Sequence, residues 1–171
     1  GFFFKGKRVA VAGGGDTAME EALFLTKFAI EVTVIHRRDT LRASKIMQRR
    51  AMDNPKIKFI WDTVVEEVLG ESAVTGLKLK NVRTNEQKNL EVEGLFVAIG
   101  HIPNTKFLEG SGVELDEKGY IKVYNESRTN IEGVFVSGDV HDHVYRQAIT
   151  AAAAGCKAAM DAEHWLQEKG L

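Results

Sequence analysis

The chain has 171 residues, 44% of them hydrophobic and 27% charged, and its formal net charge is -1. This size allows one respectable core or two small ones. The near-neutral charge argues against a dedicated nucleic-acid binder, and no apolar run approaches the roughly 20 residues that span a membrane. The single cysteine, Cys156, cannot make an internal disulfide, which fits a reducing compartment.

The first predicted element is a short apolar strand over residues 7–12, which runs into a glycine turn. The turn reads G-x-G-x-x-A: Gly13 permits the tight turn, Gly15 leaves the backbone open to a ligand, and Ala18 allows close helix–strand packing. A helix is expected over residues 16–28, and its first N–H groups, at the positive end of the helix dipole, would face a pyrophosphate. The pattern therefore predicts a dinucleotide site that includes Gly13, Gly15, Asp16 and Thr17.

A second buried strand is expected over residues 32–35, and it ends on a basic cluster made of His36, Arg37, Arg38 and Arg42. NAD-binding units usually place an acidic residue there, roughly 20 residues past the glycines, to bind the ribose 2′-hydroxyl. Planar guanidinium groups instead bind a 2′-phosphate in bidentate fashion. The cluster therefore predicts NADPH, with Asp39 as a neighbour of the arginines and not as a ribose ligand.

An amphipathic helix is expected over residues 41–52, with a buried face formed by Ala43, Ile46, Met47 and Ala51. The pattern then alternates, which predicts an antiparallel meander of four strands at residues 57–61, 64–69, 74–82 and 90–92, with a turn at 85–88. We expect the polar side chains of the meander to form a solvated face without a chemical role.

A buried strand at residues 95–99 closes the first domain, and we place a boundary at residue 100. Two short strands are expected beyond it, at 119–123 and from 133 to the Gly138-Asp139 pair. Asp139 would then lie just outside the carboxyl end of a strand, where ligands bind in open α/β sheets. A closing helix over 146–167 is rich in small residues, and its N-terminus would suit a carbonyl-rich ring such as flavin. We expect Cys156, midway along this helix, to be a small core residue.

Four segments then carry a resemblance to a known family: residues 13–18 (GGGDTA), 36–43 (HRRDTLRA), 100–105 (GHIPNT), and 138–150, which begins with GD and ends with YRQAIT. Together they closely resemble bacterial-type (low-molecular-weight) thioredoxin reductase, and the match covers essentially the whole chain. The resemblance implies an α/β fold: a three-layer FAD/NAD(P)-binding Rossmann-like domain with an antiparallel β-meander, plus the C-terminal part of a second, similar domain.

In that family an NADPH domain is inserted within an FAD domain. By resemblance, residues 1–100 are the NADPH domain, with Arg37, Arg38 and Arg42 on the 2′-phosphate, and residues 101–171 are the C-terminal part of the FAD domain. Asp139 would hydrogen-bond the flavin ribitol, and the turn formed by Arg146, Gln147 and Ala148 would meet the isoalloxazine edge. His101 matches a family histidine in the connection between the domains.

The chain departs from the family at two points: it lacks the glycine fingerprint for the FAD phosphates and the C-x-x-C pair. Electrons pass from NADPH through FAD and a disulfide to thioredoxin only when all three are present. We therefore expect a fragment of a cytoplasmic, homodimeric enzyme of redox homeostasis. The fragment itself would have no catalytic residue, no metal site and no turnover.

Three other interpretations stay open at this point. The flavin subunit of alkyl hydroperoxide reductase shares the same signatures and adds an N-terminal redox domain. A non-catalytic NADPH-binding or sensor module would use the basic cluster in the same way, with a purely structural closing helix. A nucleic-acid binder acting through residues 37–50 ranks last, because so little else on that face is basic or aromatic.

Overall fold

The computed structural model describes residues 1–170, which divide into two compact units, Gly1–Gly100 and the residues from His101 onward. Besides a short 3-10 turn at Phe2–Phe4, the first unit contains nine α-helices and β-strands. In chain order they are β1 (Arg8–Gly13), α1 (Asp16–Leu25), β2 (Glu31–Ile35), α2 (Lys45–Met52), β3 (Ile57–Ile60), β4 (Thr63–Leu69), β5 (Gly76–Asn81), β6 (Gln87–Leu90) and β7 (Leu95–Ala98).

A four-stranded parallel sheet in the order β3-β2-β1-β7 forms the middle layer of this unit. Its two central strands are almost continuously apolar because helices and a second sheet cover their two faces. On one face, α1 packs through a fully buried row at helical spacing, made of Ala18, Met19, Ala22 and Leu25. The predicted βαβ unit is therefore confirmed.

The other face of the parallel sheet is covered by a three-stranded antiparallel sheet in the order β4-β5-β6. Leu77 and Leu79 of β5 are fully buried and form one apolar cluster with Ala10 of β1 and Ile35 of β2. The unit thus has three layers: helices, parallel sheet and antiparallel sheet. This architecture confirms the predicted fold class.

Two details of the predicted meander are wrong. Residues 57–60 form β3, which pairs in parallel with β2 (Val32 opposite Ile57) and does not open the meander. As an edge strand, β3 alternates buried Ile57 with exposed Lys58, so its pattern resembles that of an antiparallel strand. The last turn also lies earlier than residues 85–88, because β6 already begins at the polar, exposed Gln87.

The helix predicted over residues 41–52 begins only at Lys45. The residues before it form a loop, because the backbone N–H groups of Arg42 and Ala43 both donate to the carbonyl of Gly14, at 2.7 and 3.1 Å. Ile46, predicted on the buried face, is 72% exposed, whereas Ala51 is fully buried. Helix α1 likewise ends at Leu25, three residues before its predicted end.

The second unit contains one long helix, α3 (Ala148–Lys169), and the two strands predicted before it are absent from the described residues. Isolated bridges take their place, among them Leu115 opposite Ile121. Side chains satisfy backbone groups that a ladder would use; the Asp116 carboxylate, for example, accepts the N–H of Tyr120 at 2.9 Å. Asp139 therefore does not follow a parallel strand, and it lies in a single 3-10 turn, Gly138–Val140.

Helix α3 has no buried residue. Cys156 is exposed, so its prediction as a core residue is wrong. No helix within residues 1–170 is both long and apolar enough to cross a bilayer.

Candidate functional site

The glycine turn between β1 and α1 divides into a packed part and an open part. Gly13 has a φ of +152°, and a Cβ there would lie 2.3 Å from the carbonyl oxygen of Ala98. A Cβ on Gly14 would lie 2.3 Å from the ring of His36. A Cβ on Gly15, in contrast, would meet nothing within 4 Å. The first two glycines serve internal packing, and Gly15 leaves open space at the start of α1.

The N-terminus of α1 begins at this open position. Gly15 is its N-cap residue, and no side chain caps the helix. The first N–H groups of an α-helix have no intrahelical partner, and they carry the positive end of the helix dipole. The start of α1 therefore offers hydrogen-bond donors to an anion.

The carboxylate of Asp16 is directed to the neighbouring helix. Its Oδ1 accepts two hydrogen bonds from Ser44, the N-cap residue of α2: one from the backbone N–H at 2.9 Å and one from the hydroxyl at 2.8 Å. The hydrogen bond from the Ser44 backbone lowers the pKa of Asp16. Asp16 thus joins the first turns of α1 and α2, while Thr17 is exposed beside it.

His36 lies behind the glycine turn and is only 5% exposed. Its Nε2 is 3.1 Å from the carbonyl oxygen of Thr40. Since a carbonyl oxygen only accepts, Nε2 carries the ring proton. Burial lowers the pKa of His36, and the charges of Arg42, Arg38 and Arg37 lower it further. The imidazole is therefore neutral near pH 7, and it supports the turn and the basic loop together.

The three arginines of the basic cluster are exposed. Within residues 1–170, none of Arg37, Arg38 and Arg42 has an acidic side chain within 4.0 Å. The charges of all three lower the pKa of His36, so all three lie near its ring. Their guanidinium groups are available for an anionic ligand.

A cavity of about 530 Å³ lies at the carboxyl edge of the parallel sheet. One side is lined by the glycine turn and the basic cluster, through Gly13, Gly14, His36, Arg37 and Arg42. The other side comes mainly from β4 and β7 and is largely apolar, through Val64, Val65, Val68, Val97 and Ile99, although Glu66 and Glu67 of β4 also line it. The sequence-predicted residues Gly15, Asp16, Thr17 and Arg38 border this region without lining the cavity.

The candidate residues of the second unit surround the start of α3. Asp139 is exposed, and so are Gln147 and Ala148, whereas Arg146 is half-buried with a φ of +49°. The loop before α3 is held by Asp142, which accepts the backbone N–H groups of Val144, Tyr145 and Arg146 at 2.9, 3.0 and 3.4 Å. These bonds, first the one from Tyr145, lower the pKa of Asp142.

A second cavity, of about 390 Å³, lies beside this loop and is lined by residues that include Gly138, His141, Asp142 and Thr150. The Nδ1 atom of His141 is buried and has no hydrogen-bond partner among the described residues. None of Asp139, Arg146, Gln147 and Ala148 lines this cavity.

Residues 4–155 match the family described as pyridine nucleotide-disulphide oxidoreductase. The chain belongs to this family. It is 60% identical, over 97% of its length, to a thioredoxin reductase of Streptomyces coelicolor, and 57% identical, over 98%, to the mitochondrial thioredoxin reductase 1 of Arabidopsis thaliana. It covers 52% and 45% of these two proteins, so the chain spans about half the length of the curated relatives it matches.

Solved structures of the pyridine nucleotide-disulphide oxidoreductase family agree with the fold. A thioredoxin reductase from Streptococcus pyogenes superposes with a TM-score of 0.80 at 40% identity, covering 98% of this chain and 55% of that one. The thioredoxin reductase from Giardia duodenalis gives a TM-score of 0.76 at 44% identity, covering 95% and 54%.

Sequence reasoning missed two residues that organise the site of this family member. Ser44 precedes the first helical residue of α2, a typical N-cap signal, but its bond to Asp16 depends on the packing of two helices. Arg83 belongs to the turn between β5 and β6 and pairs with Asp39 at 2.6 Å. No sequence pattern joins these two positions, so only the fold reveals the contact.

Proposed function

We propose that residues 1–100 are the NADPH-binding domain of a thioredoxin reductase, and that residues 101–171 are the C-terminal part of its FAD-binding domain. One observation carries the proposal: the glycine turn and two arginines of the basic cluster, Arg37 and Arg42, meet at a single cavity at the carboxyl edge of a parallel sheet. Ligands of open α/β folds bind at this edge.

The residues present fit NADPH. The space at Gly15 admits a pyrophosphate against the N–H groups of α1. Arg37, Arg38 and Arg42 would bind the 2′-phosphate, because no carboxylate of the described residues forms an ion pair with their guanidinium groups. Gly13 and His36 hold these two parts in place. When bound, NADPH supplies a hydride.

FAD is the second cofactor of the proposal. Asp139 would hydrogen-bond its ribitol, and the turn formed by Arg146, Gln147 and Ala148 would lie at the edge of the ring. The unpartnered, buried Nδ1 of His141 at the neighbouring cavity fits a polar ligand in this part of the unit. FAD would pass electrons from NADPH towards a disulfide.

The proposed electron acceptor of the whole protein is thioredoxin. The relatives named above are thioredoxin reductases, and a further relative from Mycobacterium leprae, 55% identical, is a bifunctional thioredoxin reductase/thioredoxin. These names favour this function over the flavin subunit of alkyl hydroperoxide reductase. Because the chain has one cysteine, the proposal places the redox-active pair outside these 171 residues. The cytoplasmic location and the homodimer stay predictions.

The direct test is to replace Arg37 and Arg38 together with alanine and to measure the dissociation constants of NADPH and NADH by calorimetry. Each charge-assisted bond to the phosphate contributes roughly 1.5 to 3 kcal/mol. We therefore expect NADPH binding to weaken by about two orders of magnitude or more, with NADH binding nearly unchanged.

A matched control is available on α2, where Arg49 and Arg50 are also adjacent and exposed but do not line the cavity. Their double alanine variant changes the net charge by the same amount, and it should retain the preference for NADPH. Equal losses of NADPH and NADH in the Arg37/Arg38 variant would contradict the proposed phosphate site.

A further inference from the structure

Asp39 is the only acidic residue in the basic segment, residues 36–42. A carboxylate at this place would repel a 2′-phosphate and would compete with it for the guanidinium groups. In the structure, however, Asp39 pairs with none of its neighbouring arginines. Its Oδ2 accepts a hydrogen bond of 2.6 Å from Nη2 of Arg83, a residue of the turn between β5 and β6. This bond lowers the pKa of Asp39 and raises that of Arg83.

Arg83 is anchored on its other side by Asp62, which follows β3. Its Nε lies 2.9 Å from Oδ1 of Asp62, whose side chain is only 17% exposed. The backbone of Asp62 completes the anchor, because its N–H donates to the carbonyl of Arg38 and its carbonyl accepts the N–H of Val82 at 2.7 Å. Asp62 thus joins the turn between β5 and β6 to the basic segment. It also holds the side chain of Arg83 where it meets Asp39.

This arrangement has a consequence for the three arginines of the basic cluster. While Asp39 is bound to Arg83, the cluster keeps its guanidinium groups without an ion pair within residues 1–170. Arg83 also compensates part of the negative charge of Asp39, because its guanidinium group is shared between Asp39 and Asp62. Without Arg83, the carboxylate would be uncompensated and close enough in sequence to turn towards Arg37 or Arg42.

We propose that Arg83 is a specificity-determining positioning residue, which holds Asp39 and thereby keeps Arg37, Arg38 and Arg42 available for the 2′-phosphate of NADPH. This inference rests on the proposed function. It gives a role to a polar residue in a turn of the antiparallel sheet, where no chemical role was expected. Arg83 and Asp39 are 61% and 57% exposed, so their pair contributes little to stability. Its effect is expected in nucleotide selectivity.

The experiment measures the dissociation constants of NADPH and NADH for the chain and its Arg83→Gln variant by calorimetry. The uncompensated carboxylate should weaken NADPH binding roughly threefold to tenfold, whereas NADH, which lacks the 2′-phosphate, should bind as before. Adding Asp39→Asn to this variant removes the carboxylate and should restore NADPH binding. The pair adenosine 2′,5′-bisphosphate and 5′-AMP should show the same pattern without a nicotinamide.

Two further variants separate this role from a loss of charge or of folding. Lys88→Gln removes one positive charge from an exposed position of the same hairpin, on β6, and should leave both constants unchanged. Asp39→Asn alone leaves Arg83 in place and should bind NADPH at least as tightly as the unchanged chain. Unaltered NADH binding in each variant reports that the site is still folded.

The outcomes distinguish the inference from the function on which it rests. If the unchanged chain does not prefer NADPH over NADH, the proposed function itself fails. If the chain prefers NADPH and Arg83→Gln keeps the full preference, the role of Arg83 is overturned. Failure of Asp39→Asn to rescue Arg83→Gln overturns it as well, because the effect would not pass through the carboxylate.

Discussion

His36 is the residue through which the glycine turn and the basic segment support each other. Its ring lies against Gly14, its Nε2–H donates to Thr40, and its backbone N–H and carbonyl are hydrogen-bonded to Ile60 and Thr63. Burial and three nearby arginines both oppose protonation of this ring. His36 therefore fulfils its supporting role in the neutral form.

The lowered pKa of His36 predicts how stability depends on pH. Above the ordinary pKa of 6.5, the ring is neutral in the folded and unfolded chains and contributes no pH dependence. As the pH falls below that value, the unfolded chain takes up the proton first, so the free energy of unfolding decreases until the folded-state pKa is passed. Urea unfolding between about pH 5 and pH 8 should show this decrease.

The variant His36→Gln keeps an amide donor near the position of Nε2 and has no titratable ring. Its unfolding free energy should vary less with pH below 6.5 than that of the unchanged chain. His164→Gln, at an exposed position of α3, is the control and should keep the original pH dependence. An identical slope in all three proteins would show that His36 is not the group responsible.

At the scale of elements, the turn between β1 and α1 separates a glycine needed for folding from a glycine needed for binding. Gly13→Ala forces a Cβ to 2.3 Å from a backbone oxygen at a φ of +152°, so we expect a loss of about 2 kcal/mol or more in unfolding free energy. Gly15→Ala meets open space at a φ of -95° and should cost less than about 1 kcal/mol.

For nucleotide binding by the folded protein, we expect the larger effect from Gly15→Ala. Gly15→Ala places a methyl group where the pyrophosphate would lie, and NADPH and NADH share this group, so both should bind more weakly to a folded protein. This result differs from the selective loss expected for the arginine variants. Thermal unfolding and calorimetry on the same samples make the comparison. Unchanged binding of both nucleotides by Gly15→Ala would place the pyrophosphate elsewhere.

The elements that the sequence predicted well are those whose pattern follows from burial alone. Strands β1 and β2 are almost continuous apolar runs, and α1 carries its buried residues at helical spacing, so local sequence determines them. The direction of β3 and the start of α2 depend on pairing partners, such as the carbonyl of Gly14 that binds Arg42 and Ala43. The contact between Arg83 and Asp39 joins residues 44 positions apart and needs the whole fold.

At the scale of the whole molecule, apolar burial is unevenly distributed between the two units. Both apolar clusters belong to Gly1–Gly100. From His101 to residue 170, the buried hydrophobic side chains are only Tyr120, Ile121 and Val136. Helix α3 has 22 residues and buries none of them. Local stability follows buried apolar contacts, so the second unit should open more readily than the first.

Hydrogen exchange followed by mass spectrometry measures this difference directly. Amides of β1 and β2 should exchange slowest, and those of α3 much faster, because few buried contacts hold α3 in place. One of them is the 2.5 Å hydrogen bond from the buried hydroxyl of Ser127 to Oδ2 of Asp161. Asp161→Ala leaves that hydroxyl without its acceptor and should speed exchange in α3 further, while β1 stays unchanged.

Glu163→Gln is the matched control on the same helix, since Glu163 is exposed and makes no ion pair within the described residues. It should exchange like the unchanged chain. The proposed function adds a second expectation: a polypeptide supplying the rest of the FAD domain, together with FAD, should slow exchange in α3 and leave β1 as it was. Protection of α3 equal to that of β1 in the chain alone would contradict this account of where the molecule's stability lies.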